Sequence, residues 1–315
     1  MERRVYDRSK LLCNRRSLQE RRAISAGPMK ILRFASPGGD RLGLIAERGV
    51  VDLTTRLEGA PDDTIGLIAE WGRYETSLRA LEQLEPDHEL ADITLLSPIK
   101  RPGKTLAVGM NYVDHVKEIG GKVPEHQLWF MKPSSAINGP SGEIQMPLGS
   151  VELDYEAELV LVVGKTVRAV DVSNAAEAIF GYCVGNDVSV RDRQFETSQF
   201  LLGKGGDTHA PIGPWITTRD VARIENGAIR SFVNNEMRQS SRTGNMIFPP
   251  ESLVSCLSQV MTLEPGDIIF TGTPAGVGMG FNPPRWLQKG DVVRVEIEGL
   301  GSLENRVVDY VAGPH

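Results

Sequence analysis

Glu156 and Glu158 stand two residues apart at the head of the apolar run Leu159-Val160-Leu161-Val162-Val163. The branched Val160, Val162 and Val163 favour a strand buried on both faces, and the period-two geometry of a strand then puts both glutamates on one face, about 7 Å apart. Carboxylates so placed repel each other, and burying either without a partner costs several kcal/mol, so a cation is expected between them. The alternative at this level is an exposed strand end with two solvated glutamates, and these residues alone do not choose between the two.

A second apolar run, Ile179-Phe180-Gly181-Tyr182-Cys183-Val184-Gly185, ends at Asn186-Asp187. Asp187 sits where a strand leaves the core, a position that can aim a third carboxylate at the first two. Three hard oxygen ligands with no histidine or cysteine among them favour Mg²⁺ or Mn²⁺ over zinc or iron and leave positions open for water or substrate. An open-sided divalent ion can chelate a 2-oxo acid through its carboxylate and keto oxygens and stabilise an enolate. An enolate is the leaving group when a 1,3-dicarbonyl compound is cleaved between its carbonyls.

Acid–base chemistry would come from His115 and Glu118. They lie at i and i+3 on a short helix expected between Asn111, its N-cap, and Gly120-Gly121, its stop. A lone histidine is commonly a packing residue, but pairing with a glutamate beside a polar loop fits a base that activates water. Lys204 would stabilise developing negative charge. Its surroundings, Gly203-Lys204-Gly205-Gly206, lack the P-loop pattern, and Gly272-Thr273-Pro274-Ala275-Gly276-Val277-Gly278 follows a strand without a dinucleotide fingerprint. The amides of that second loop and the Thr273 hydroxyl could hold a carboxylate.

The elements that position these residues are short strands and turns. The 315 residues, 40% apolar and 24% charged, with 33 glycines and 19 prolines, describe an ordinary globular chain rich in strands, without an apolar run long enough to span a membrane. A meander is expected over 30–53 and a helix over 64–85, with a boundary near Pro102. Three domains of the sequence follow: a basic leader over 1–28, a small amino-terminal domain over 29–101, and a catalytic domain over 102–315. Beyond the boundary come a strand over 106–109 and a long turn-rich stretch over 124–147 that could close as a lid. Further helices are expected over 172–178 and 252–261, and further strands over 229–233, 268–271, 292–298 and 305–311.

The leader carries eight Lys or Arg against Glu2, Asp7 and Glu20, a net of +5, so the chain's −6 becomes −11 over residues 29–315. It has no apolar core of a signal peptide and reads as a disordered extension. The acidic body argues against a nucleic-acid partner. Cys13, Cys183 and Cys256 are odd in number and have no CxxC spacing, which fits a reducing cytoplasm.

Asn111-Tyr112-x-Asp114-His115-x-x-Glu118, Asp154-Tyr155-Glu156-x-Glu158, Gly185-Asn186-Asp187-x-Ser189-x-Arg191-Asp192, Gly203-Lys204 and Gly272-Thr273-Pro274-x-Gly276-Val277-Gly278 occur in this order. Together they resemble the fumarylacetoacetate hydrolase family over roughly residues 100–312, and in particular its shorter bacterial and acylpyruvase-like branch. The resemblance implies a β-rich mixed α+β fold, a β-roll or sandwich with a small amino-terminal β domain, assembled as a homodimer. It implies Mg²⁺ or Mn²⁺ on Glu156, Glu158 and Asp187, a His115–Glu118 dyad on a helical lid, and substrate contacts from Lys204, Arg191, Gln194, Thr208 and Thr273. The expected activity is hydrolysis of a C–C bond in an acylpyruvate or related 2,4-dioxo acid. The same chemistry serves oxaloacetate decarboxylases and the isomerases, hydratases or lyases of 2-oxo-dienoates. A non-catalytic binding subunit would instead show a broken ligand set.

Overall fold

A computed structural model describes residues 27–219 and 224–312. Residues 1–26 of the basic leader, Cys13 among them, lie outside the described residues. A central eleven-stranded sheet runs in the order Gly49–Asp52, Gly39–Ala46, Lys30–Ser36, Ala210–Thr218, Ile179–Asn186, Ala157–Val163, Ile268–Phe270, Thr105–Gly109 and Leu128–Met131, with two short strands beside this path. A five-stranded sheet of Glu236–Arg242, Ala228–Val233, Val292–Ile297, Gly301–Val308 and Ile144–Gln145 packs against it. Ser189–Val190 and Leu153–Asp154 form a two-stranded pair. The result is the sheet-rich mixed α/β architecture expected from the turn and strand pattern.

The strand Ala157–Val163 is buried along its whole length between Ile179–Asn186 and Ile268–Phe270, both antiparallel to it. Its odd-numbered side chains, Leu159, Leu161 and Val163, enter one apolar cluster, while Val160 and Val162 enter another. Each such side chain stabilises the fold by roughly 1.5–3 kcal/mol, which fixes the register. A slip of one residue would turn Glu156 and Glu158 into the cluster of Leu159 and Leu161.

Several local expectations shift. Residues 64–85 form two helices, Thr64–Ala69 and Trp71–Leu81, rather than one, and Asp63 Oδ1 caps the first at Gly66 N–H at 2.8 Å. The amino-terminal meander is hydrogen-bonded into the central sheet, since Lys30 and Ile31 pair with Thr217 and Ile216. The stretch 124–147 is not a free lid. Leu128–Met131 is an edge strand on Thr105–Gly109, and Ile137–Asn138 pairs with Ala210–Thr218, so backbone bonds tie it down. No helix among the described residues is long and apolar enough to cross a membrane.

Candidate active site

The three carboxylates come together because two strands end side by side. Ala157 pairs with Asn186, and Asp187 N–H donates to Glu156 O at 2.9 Å, which carries the Asp187 side chain to the face of Glu156 and Glu158. Asn186 Oδ1 accepts from Glu156 N–H at 2.9 Å and pins the turn. One carboxylate oxygen from each of Glu156, Glu158 and Asp187 lies within 4.8 Å of the others, and all three residues are buried. The solvated-glutamate alternative is therefore excluded.

Cations meet two of the three. Lys204 Nζ, almost wholly buried, donates to Glu156 Oε2 at 2.9 Å and Asp187 Oδ2 at 2.7 Å, and it lies 5.0 Å from the centre of the Phe130 ring. Arg191 Nη1 pairs with Glu156 Oε1 at 2.8 Å, and its Nε donates to Asp154 Oδ2 at 2.8 Å. Burial disfavours the ionised form of Glu156, yet the Lys204 ammonium and the Arg191 guanidinium outweigh it and hold this carboxyl well below its usual range. Glu158 differs. It has no ion pair among the described residues, its Oε2 accepts only Gly272 N–H at 2.7 Å, and burial, then Asp187 and Glu156, push its pKa well above the usual value.

Lys132 was not legible as a site residue. Its fully buried Nζ donates to Asp187 Oδ1 at 2.6 Å and Val188 O at 3.1 Å. Burial lowers its pKa against the pull of Asp187. A lysine between Met131 and Pro133 at the end of an apolar strand was the available signal. Asp154 is a second missed contributor, because its carboxylate accepts Gly278 N–H at 2.6 Å and Met279 N–H at 3.1 Å while fixing Arg191.

Four buried carboxyl groups, of Asp154, Glu156, Glu158 and Asp187, thus face Lys132, Lys204 and Arg191, and Glu158 is the one without a cationic partner among the described residues. That imbalance, with an all-oxygen donor set, fits a divalent cation such as Mg²⁺ or Mn²⁺. Its binding would offset the burial cost that Glu158 otherwise carries.

The expected helix spans Val113–Glu118 with Tyr112 at its N-cap position. Asn111 does not cap it. The Asn111 side chain instead donates to Phe248 O and Thr271 O and accepts from Phe248 N–H, so it holds together three segments distant in sequence. His115 Nδ1 lies 3.0 Å from Glu118 Oε2, and Glu118 Oε1 accepts Gly276 N–H at 2.8 Å. A carboxylate can only accept, so Nδ1 carries the proton and Nε2 is the nitrogen left to exchange one.

A cavity of about 130 Å³ joins these groups. His115, Glu156, Glu158, Lys204, Arg191, Gln194 and Thr273 line it, with Phe130, Phe195 and Phe200 among its apolar walls. Gln194 Oε1 accepts from Arg191 Nη1 at 2.8 Å, and Arg191 Nη2 is buried without a partner among the described residues. Thr208 is the expected contact that the structure does not bring here. Its backbone has φ of 67°, and its hydroxyl accepts Gln145 N–H at 2.9 Å away from the cavity. Its neighbour His209 is buried, with Nε2 2.8 Å from Gln145 O.

Residues 104–308 match the family described as fumarylacetoacetate (FAA) hydrolase, C-terminal. A mitochondrial oxaloacetate tautomerase of Bos taurus is 42% identical over 289 residues, covering 89% of this chain and 92% of its own. The structure of a 5-carboxymethyl-2-hydroxymuconate delta-isomerase from Mycobacterium smegmatis is 36% identical with a TM-score of 0.72, covering 90% of this chain and all of its own. That of a maleylpyruvate hydrolase from Sphingobium sp. SYK-6, in complex with manganese(II) and pyruvate, is 31% identical with a TM-score of 0.74 over the same shares. An ordered set of weak motifs, an intact buried carboxylate trio and a profile match over most of the chain converge on one conclusion: this chain is an enzyme of the fumarylacetoacetate hydrolase family.

Proposed function

We propose that the enzyme moves a proton at the carbon next to the carbonyl of a small 2-oxo acid, acting as a divalent-cation-dependent keto–enol tautomerase on substrates of the oxaloacetate class. The observation that carries this reading is that one cavity of about 130 Å³ is lined both by His115, oriented through Glu118, and by the Glu156 and Glu158 carboxylates. That volume suits a short dicarboxylic acid better than a long acyl chain. The name of the bovine relative, over nearly the full length of both chains, supports the same class.

Glu156, Glu158 and Asp187 would hold Mg²⁺ or Mn²⁺, which when bound supplies Lewis-acid stabilisation of negative charge at the 2-oxo group. The chain's own residues do the rest. His115 Nε2 gives or takes the proton at carbon, while Glu118, itself anchored by Gly276 N–H, keeps the imidazole in the required tautomer. Arg191 Nη2 and the Thr273 hydroxyl offer donors to the substrate carboxylates, and Lys204 adds fixed positive charge beside them. Phe130 and Phe200, both half-buried, give these donors an apolar surround.

A second reading, hydrolysis of a C–C bond in an acylpyruvate, is favoured by the same dyad, because His115 could instead activate water. Cys183 and Cys256 are both free, which suits a reducing compartment such as the cytoplasm or a mitochondrial matrix. The test follows loss of enol absorbance for oxaloacetate alongside release of pyruvate from oxaloacetate and from a panel of acylpyruvates. Tautomerisation predicts a Mg²⁺- or Mn²⁺-dependent acceleration of enol loss without pyruvate. Pyruvate from the acylpyruvates would install the hydrolase reading, and pyruvate from oxaloacetate a decarboxylase.

A further inference from the structure

Gln239 belongs to the five-stranded sheet, yet it reaches the site through a bulge. Ser231 pairs with Gln239 and Phe232 with Met237, so Arg238 is the extra residue of the strand. Bulges re-aim side chains. Here the result is that Met237 points to solvent while Gln239 is wholly buried. The bulge also meets the glycine-rich loop directly. A Cβ on Gly276 would lie 2.1 Å from Arg238 O and 3.0 Å from Gln239 Cα, and Gly276 has φ of +103°, so only glycine lets the loop settle against it.

The Gln239 amide bridges the two halves of the site. Its Oε1 accepts from Ala157 N–H at 3.0 Å, between Glu156 and Glu158, and its Nε2 donates to Pro274 O at 2.8 Å and Thr273 Oγ1 at 2.8 Å. The orientation of the amide follows from chemistry alone. Ala157 N–H can only donate and Pro274 O can only accept, so oxygen must face the first and nitrogen the second. Thr273 Oγ1 is then an acceptor towards Gln239, and its hydroxyl hydrogen has no acceptor among the described residues while the side chain lines the cavity.

We infer that Gln239 is a positioning residue that forces the Thr273 hydroxyl to act as a hydrogen-bond donor to the carboxylate of the substrate. This rests on the reading of the site as a 2-oxo acid site. It makes the enzyme selective for an acceptor at that position, since a ligand offering a donor there would meet a hydroxyl hydrogen already pointing at it.

The test is a double-mutant cycle with oxalate as the probe, titrated into Mn²⁺-loaded protein by calorimetry. A hydrogen bond to a charged group changes affinity by about tenfold or more. Thr273→Val should therefore weaken oxalate about tenfold, and Gln239→Leu should weaken it comparably in the wild-type background. In the Thr273→Val background, Gln239→Leu should add less than about twofold, because the groups act as one unit. Mn²⁺ affinity, measured without oxalate, should stay the same in all variants. Gln239→Met, similar in length but without the amide's donor and acceptor, should show the same loss should the leucine variant fail to fold. Equal losses in both backgrounds, or a matching loss of Mn²⁺ affinity, would overturn the inference. Failure of the wild-type protein with Mn²⁺ to bind oxalate would overturn the 2-oxo acid reading on which it stands.

Discussion

Replacing Lys204 by methionine removes the ammonium that bridges Glu156 Oε2 and Asp187 Oδ2 at 2.9 and 2.7 Å, and the lysine side chain is only 2% exposed. Two buried carboxylates are left facing each other with one cation fewer. Breaking a buried pair in this way costs about 3–5 kcal/mol. For a chain of this size that corresponds to a fall of roughly 10 °C in melting temperature. The loss should shrink on adding Mg²⁺, because a cation held by the same carboxylates offsets the missing charge, so the variant gains more from the metal than the wild type does. Melting curves of both proteins, metal-free and across a Mg²⁺ titration, check this. A metal-free variant melting within about 2 °C of wild type, or a gap that Mg²⁺ leaves unchanged, would refute the charge argument.

Other expected outcomes can be read from the same geometry. His115→Ala should slow proton transfer by about 10²–10⁴-fold while calorimetry shows Mn²⁺ binding intact; an unchanged rate would remove His115 from the chemistry. Gly276→Ala forces a Cβ against Arg238 O at φ of +103° and withdraws the N–H that holds Glu118. It should cost about 1–3 kcal/mol in denaturant unfolding and lower kcat further than that destabilisation alone would, whereas a wild-type kcat would show that Glu118 does not need this anchor. Burial pushes the pKa of His209 down to about 4, from the usual 6.5 of a histidine. The unfolded chain therefore takes up this proton first on acidification, so stability is whole above about pH 6.5 and falls by about 3 kcal/mol as the pH drops towards 4. His209→Gln should flatten that slope in denaturant titrations at a series of pH values, and an identical slope would place the acid sensitivity elsewhere.

Much of this site was legible because it obeys local periodicities. Alternation along Ala157–Val163 put Glu156 and Glu158 on one face, and the exit of a second buried strand located Asp187. Helical spacing paired His115 with Glu118. What could not be read were partners chosen by tertiary packing. Lys132 reaches Asp187 from an edge strand 55 residues earlier. Gln239 arrives from the other sheet, through a bulge that breaks the strand's alternation. Asn111 looked like a helix cap because local rules favour asparagine there, but its amide is used on Phe248 and Thr271, groups that only the folded chain brings near. Thr208 is placed away from the cavity for a local reason, since a left-handed backbone turns its hydroxyl to Gln145 N–H.

The account stands on Glu156, Glu158 and Asp187 forming one divalent-cation site in which Glu158 is the carboxyl without a cationic partner among the described residues. Isothermal titration of Mn²⁺ into metal-free wild-type protein and its Glu158→Ala variant tests it most directly. The charge arrangement predicts one site per wild-type chain and loss of that site in the variant. Equal stoichiometry and affinity in the two proteins would contradict it.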